Sequence, residues 1–186
     1  MSQVFRQQIE RISPLTDQEF DYILSHFETK RLKKHQYLLQ EGSLVQNDYF
    51  VISGLLKAYH TDEDGKEHII QFAMEDWWVT DYAAYFNQES ASINIDCIEN
   101  CEVLSLSLQN REKLCSEFHK IEHFFRIKAN SGYVALQGRI LSLLNNDAKE
   151  RYTKLQQLYP NLLQRVSKTL IASYLGVSRE TLSRLS

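Results

Sequence analysis

The chain has 186 residues, 43% of them hydrophobic, and a formal net charge of -3. That is enough apolar material for one large domain or two small ones with real cores, which excludes a disordered chain. Three cysteines (Cys97, Cys101, Cys115) are too few for a disulfide scaffold, no apolar run reaches membrane-span length, and the polar first residues lack a secretory signal, so the expected setting is the cytoplasm with reduced thiols.

The first stretch reads as helical. A short helix is expected over about residues 3–11. Thr16 with Glu19 forms a capping box, and Phe20, Ile23, Leu24 and Phe27 follow at helical spacing. From Lys30 to Ser107 the pattern changes to short strands at residues 37–39, 49–52, 55–59, 68–72, 93–97 and 103–106. Turn signals such as Glu41-Gly42-Ser43, Ser53-Gly54 and Asp62-Glu63-Asp64-Gly65 separate them. Many short strands at regular spacing indicate an antiparallel sandwich or barrel.

After Leu108 the helical period returns, with a short helix near residues 109–118 and a long one from about 120 to 144. Gly132 and Gly138 each cost about 1 kcal/mol inside a helix. Close approach of a second helix would offset that, so the long helix is expected to pair across a two-fold axis into a homodimer through Ile121, Phe124, Phe125, Lys128, Gly132, Ala135 and Leu136. Asn145-Asn146-Asp147 marks a hinge. Asp147 and Glu150 form a second capping box, and Tyr159-Pro160-Asn161 breaks the helix that follows.

The last residues carry the strongest signal. From Lys168 onward, Ile171, Leu175, Val177, Leu182 and Leu185 fall where two crossed helices touch, Ala172 is small at the crossing, and Gly176 sits at the turn. This is the form of a helix-turn-helix. Ser178 is a good N-cap for its second helix. Arg179, Glu180, Ser183 and Arg184 then project away from Leu182 and Leu185. Arg can donate two bonds to guanine and Glu can accept from cytosine, so Arg179 and Glu180 are candidate base readers, Arg184 one turn on suits a base or a phosphate, and Lys168 and Thr169 suit phosphates. Charge agrees with this placement: residues 1–146 hold 14 Lys/Arg against 21 Asp/Glu, whereas residues 147–186 hold 7 against 3. A basic module on an acidic body binds DNA through its local field.

Together these segments resemble the Crp/Fnr superfamily of bacterial transcription regulators over about residues 10–186. The most specific parts are residues 176–184 (G-V-S-R-E-T-L-S-R), Cys101-Glu102-Val103 and the Ser53-Gly54 turn. The resemblance implies an α+β chain: an N-terminal antiparallel β-roll (cyclic-nucleotide-binding-domain-like, a double-stranded β-helix) with flanking helices over residues 1–118, a dimerisation helix and hinge over 119–146, and a winged helix-turn-helix over 147–186. It implies a sequence-specific regulator that is not an enzyme, with double-stranded DNA, a second copy and RNA polymerase as partners and no membrane. In its relatives the residues matching Arg179, Glu180 and Arg184 read a G·C-rich half-site core. Members of the family usually continue with a few basic residues, so a tail beyond Ser186 is expected.

The sensor half departs from the nucleotide-binding members, which hold the ribose with a Gly-Glu pair and the cyclic phosphate with an Arg-Ser pair. Counting back from Cys101-Glu102-Val103 puts Thr80-Asp81 and Ala91-Ser92 at those places, and residues 80–100 contain no Arg or Lys. A phosphate without a cation loses most of its binding energy. The effector region is therefore set at Asp81, Ala91 and Ser92 with no tight cyclic-AMP binding expected, and the effector is unassigned. Trp77, Trp78, Tyr82, Tyr85 and Phe86 are expected to fill a core. No Cys precedes Cys97, so the N-terminal cysteine cluster of the iron–sulfur members is missing, and no cofactor or metal is expected.

Two rival classes stand beside this reading. One is a stand-alone small-molecule receptor or interaction module without DNA binding. The other is a β-roll metalloenzyme, suggested by His119-Lys120-Ile121-Glu122-His123, which matches H-x-x-E-H, and by His60 and His68. No third ligand is obvious downstream of the motif.

Overall fold

A computed structural model of the chain describes residues 3–185. Ser186, where the basic tail was expected to follow, lies outside the described residues. Two helices, α1 (Gln3–Glu10) and α2 (Asp17–Leu24), lead into eight strands: β1 (Glu28–Leu32), β2 (Tyr37–Leu39), β3 (Asn47–Ser53), β4 (Leu56–Thr61), β5 (Glu67–Ala73), β6 (Trp78–Val79), then a short α3 (Tyr82–Asn87), β7 (Asn94–Cys97) and β8 (Cys101–Ser107). Helices α4 (Leu108–Glu117), α5 (His119–Asn145), α6 (Ala148–Leu158), α7 (Pro160–Arg165), α8 (Lys168–Leu175) and α9 (Arg179–Leu185) complete the chain.

The strands form two four-stranded antiparallel sheets, ordered β1-β8-β3-β6 and β2-β7-β4-β5. Side chains alternate across each strand, and the central strands β3, β4 and β8 are covered on both faces. From β3 and β8, Tyr49, Val51, Cys101 and Val103 point into the roll, where Leu56, Ala58 and Ile95 of the other sheet meet them. Phe50, Ile52, Leu104 and Leu106 point outward into a second core under α1, α2, α4 and the start of α5. From β4 and β5, Tyr59, Ile69 and Phe72 point outward into a third core shared with α6 to α9. Two-sided burial is why residues 49–52 and 103–106 read as near-continuous apolar runs.

Gly54 closes the turn between β3 and β4 at φ +97, and a Cβ there would lie 2.4 Å from the Asn100 carbonyl oxygen and 2.7 Å from Cys101 Sγ. Only glycine meets both demands. Both capping boxes form: the Glu19 N–H donates to Thr16 Oγ1 (3.2 Å) and the Thr16 N–H to Glu19 Oε2 (2.8 Å), while the Glu150 N–H donates to Asp147 Oδ1 (2.9 Å) and the Asp147 N–H to Glu150 Oε2 (3.1 Å).

Several expectations need correction. Among the described residues no strand follows β8, so the helix-turn-helix carries no wing there. Residues 160–165 are a helix of their own, because Pro160 at its first turn needs no N–H partner. The apolar stripe on α5 is also not the expected one. Ile121, Phe124 and Phe125 are 1%, 0% and 6% exposed and fill the chain's own second core, so they cannot line a dimer interface. Lys128 is half-buried on the same side, where burial lowers its ammonium pKa. Gly132 and Ala135 are exposed, so burial does not remove them from an interface. A Cβ added at Gly132 or Gly138 would meet nothing within 4 Å, so no helix of this chain approaches them closely. Leu136 alone borders the outward stripe made by Tyr133, Val134, Ile140, Leu141 and Leu144, whose exposure runs from 49% to 75%.

Candidate nucleic-acid interface

Ser167 caps α8, accepting from the Leu170 N–H, and the helix ends at Gly176 with φ 68 and ψ 35. Its last turn is closed by the Val177 N–H donating to the Ala172 carbonyl (3.0 Å), the six-to-one bond of a Schellman ending that requires the left-handed residue. Ser178 then starts α9 by accepting from the Thr181 N–H (3.1 Å). Ile171, Ala172, Leu175 and Leu182 are buried together and fix how the two helices cross. Arg179, Glu180, Ser183 and Arg184 stand exposed on the opposite side of α9, and Lys168, Thr169 and Ser178 are exposed at the starts of the two helices. All seven residues assigned from the sequence as DNA contacts are therefore exposed to solvent. Hydrogen bonds from its own backbone N–H and from Ser178, with Arg179 and Arg184 nearby, hold the Glu180 carboxyl below the ordinary carboxylate range, so it is a full acceptor at neutral pH.

This helical unit rests on the outer face of the second sheet. Ser173 Oγ donates to the Glu67 carbonyl (2.6 Å) and accepts from the Ile69 N–H (3.2 Å). Arg165 of α7 holds two carboxylates at once, Glu75 at 2.8 and 3.0 Å and Glu99 at 2.9 and 2.6 Å. Burial alone would raise the Glu75 carboxyl; the bonds from Arg165 and from backbone N–H groups outweigh it and hold it low. Sequence reading missed the Arg165 clamp, and nothing local signals it, since its partners lie 90 and 66 residues away. It also missed the outward stripe, which a heptad count from Tyr133 through Gln137 and Ile140 to Leu144 would have found.

The structure bonds Asp81 to Ser92 and commits the polar atoms of Asp81 and Ala91 within the chain. Asp81 is 6% exposed and caps α3: Oδ1 accepts from the Ala84 N–H (3.2 Å), and Oδ2 accepts from the Ser92 N–H (2.9 Å) and hydroxyl (2.8 Å). Ala91 is buried in the roll core, and its N–H and carbonyl pair with Ser43 and Gly42. Tyr85 is fully buried and donates to the Leu106 carbonyl (3.3 Å). In the H-x-x-E-H segment His119 is exposed, and His123 Nδ1 bonds Arg126 (2.6 Å). Among the described residues no three His, Cys, Asp or Glu side chains gather as a metal site, and no helix is long and apolar enough to cross a membrane.

Comparison with known proteins matches residues 29–118 to the cyclic nucleotide-binding domain family. The cAMP-activated global transcriptional regulator CRP of Escherichia coli O157:H7 is 22% identical over 92% of this chain and 87% of its own length. The regulatory protein HlyX of Actinobacillus pleuropneumoniae is 25% identical over 92% of this chain and 75% of its own. Among solved structures, the c-di-GMP-responsive global regulator CLP of Xanthomonas campestris superposes with a TM-score of 0.74 at 16% identity, covering 91% of this chain and 89% of that one, a likeness of fold.

Proposed function

We propose that this chain, whose residues 29–118 match the cyclic nucleotide-binding domain family, is a Crp/Fnr-like regulator that acts as a homodimer and reads a specific DNA sequence in the cytoplasm, with RNA polymerase as a further partner and no catalytic step. The observation that carries the reading is α9: Leu182 is turned into the core while Arg179, Glu180 and Arg184 face solvent from one short helix. Its N-terminal residues suit base edges in a major groove, and Lys168, Thr169, Ser178 and Ser183 suit flanking phosphates. Two copies related by a two-fold axis would read half-sites one helical turn apart, about 34 Å.

The dimer is proposed through the outward stripe of α5 rather than through the residues first assigned. Tyr133, Ile140 and Leu144 follow seam spacing, and an exposed apolar stripe of this kind marks an interface. The roll is proposed as a sensor that does not hold cyclic AMP tightly. Asp81 is already bonded within the chain, and no cation lies between residues 80 and 100 to meet a phosphate. The division at 118 and 146 is kept as a functional one, with hinge movement at residues 145–147 coupling roll to reading head.

The decisive experiment is binding to a selected duplex measured against salt. Log K should fall steeply with log salt, and Arg179→Ala should cost about 1–3 kcal/mol on the selected site and relax one base position. A variant that binds every sequence like the parent ends the base-reading assignment. For the dimer, Ile140→Glu with Leu144→Glu should give a monomer by sedimentation and weaken binding to the full site by roughly 100-fold, through lost avidity. A dimer that survives both charges removes the outward stripe from the interface.

A further inference from the structure

Helices α5, α6 and α8 enclose a cleft of about 220 Å³ on the inner side of α5, away from its outward stripe. Leu143, Leu155 and Leu158 make its apolar walls, and three cations, Arg139, Arg151 and Lys154, line it with no Asp or Glu. Arg139 Nη1 donates to the Ile70 carbonyl (2.5 Å), and its Nη2 donates to the carbonyls of Ile69 (2.8 Å) and Tyr174 (3.2 Å). The Tyr174 ring lies 3.8 Å from that guanidinium. Arg151 donates to the carbonyls of Leu175 (3.1 Å) and Asn146 (2.7 Å). Among the described residues none of the three cations forms an ion pair with a carboxylate, in contrast to Arg165 nearby. Burial pulls the Arg139 pKa down, as expected for a charge without a counter-ion.

Backbone carbonyls satisfy the two guanidinium groups but bring no counter-charge, and an anion placed beside the three cations adds charge-assisted contacts. Sites for drug-sized ligands occupy roughly 300–1,000 Å³, so this cleft suits a smaller molecule. We propose that the cleft between α5, α6 and α8 binds a small amphipathic anion, a carboxylate on a compact apolar body. The carboxylate faces the cations and the body lies on the leucines. The walls come from both sides of the hinge, so an occupant ties the long helix to the reading head. That consequence rests on the DNA-reading proposal; the binding does not, and it is measured without DNA.

The test is calorimetry on the full chain with octanoate, its neutral amide, acetate and inorganic phosphate. Octanoate is expected to bind once per chain, at least tenfold more tightly than the amide, acetate or phosphate. Lys154→Glu reverses a charge on an exposed side chain and should weaken octanoate at least tenfold. Gly138→Leu should abolish binding by filling the cleft; a Cβ at Gly138 meets nothing within 4 Å and the change removes a helix-interior glycine, so this variant should melt no lower than the parent. Equal binding of octanoate and octanamide, competition by phosphate at equal concentration, or unchanged affinity in both variants would each overturn the proposal, as would no binding at millimolar octanoate.

Discussion

Two carboxylates separate the roll from the reading head. Asp48, on β3, is 2% exposed; burial pushes its pKa up to about 7 against the opposing pull of Arg111, whose Nη1 lies 3.4 Å away. Glu180, on α9, is exposed, and its neighbours hold it below the ordinary carboxylate range. Asp48 thus points inward beside Arg111, while Glu180 points outward and stays charged. The same division separates Asp81, bonded three times within the chain, from Arg179 and Arg184.

The largest expected effect tests the inward side. Asp48 binds its proton more tightly folded than unfolded, so the folded chain carries more protons between pH 4 and 7. Stability must therefore fall as pH rises through that window, by on the order of 3 kcal/mol from this group. Asp48→Asn removes the titration. Urea midpoints of parent and variant, compared from pH 4 to 7, should diverge in slope, with the parent losing more. Parallel curves would mean that Asp48 ionises freely and that the contrast with Glu180 is one of position alone.

A paired substitution sharpens the contrast. Asp81→Ala removes a helix cap and the two bonds to Ser92, and should cost about 1–2 kcal/mol of stability without changing base preference. Glu180→Ala should do the reverse, with stability within about 0.5 kcal/mol of the parent but altered preference at one base pair. The readouts are thermal unfolding and binding to a panel of single-substitution duplexes. If Asp81→Ala shifts base preference directly, the roll and the head are less separate than their burial implies.

How much of this was legible beforehand follows the range of the interactions. Both capping boxes and the Gly176 turn depend on residues within five positions of one another, and they stood in the sequence as they stand in the fold. Strands β3 and β8 were visible because burial on two faces demands unbroken apolar runs. Strand β1 was not: its residues Glu28-Thr29-Lys30-Arg31-Leu32 sit at a sheet edge with mostly exposed side chains and have no apolar face to show. The dimer stripe failed for a different reason. Helix α5 buries Ile121 and Phe124 in its own core and presents Tyr133 and Leu144 about half a turn round, so one apolar face could not describe both halves. Periodicity reports that a helix has a face; it does not say what covers it.

The smallest expected effect concerns the join between the two regions. Arg165 bridges Glu75 and Glu99, and all three side chains are partly exposed, at 25%, 41% and 36%. Pairs this open contribute about 1 kcal/mol or less each to global stability. Arg165→Ala should therefore barely move the melting temperature, yet it releases α7 from the roll by removing two carboxylate contacts. The clamp draws on a Glu75 carboxyl held low, so its contribution is full above the ordinary carboxylate range and is lost only as pH falls below it. Hydrogen exchange near neutral pH should show faster opening of residues 160–166 in Arg165→Ala, with Arg165→Lys intermediate because it keeps the charge and loses the fork. Unchanged exchange in both variants would assign the join to the shared apolar core of Tyr59, Phe72, Leu162 and Ile171, and would leave the clamp no part in holding the reading head to the roll.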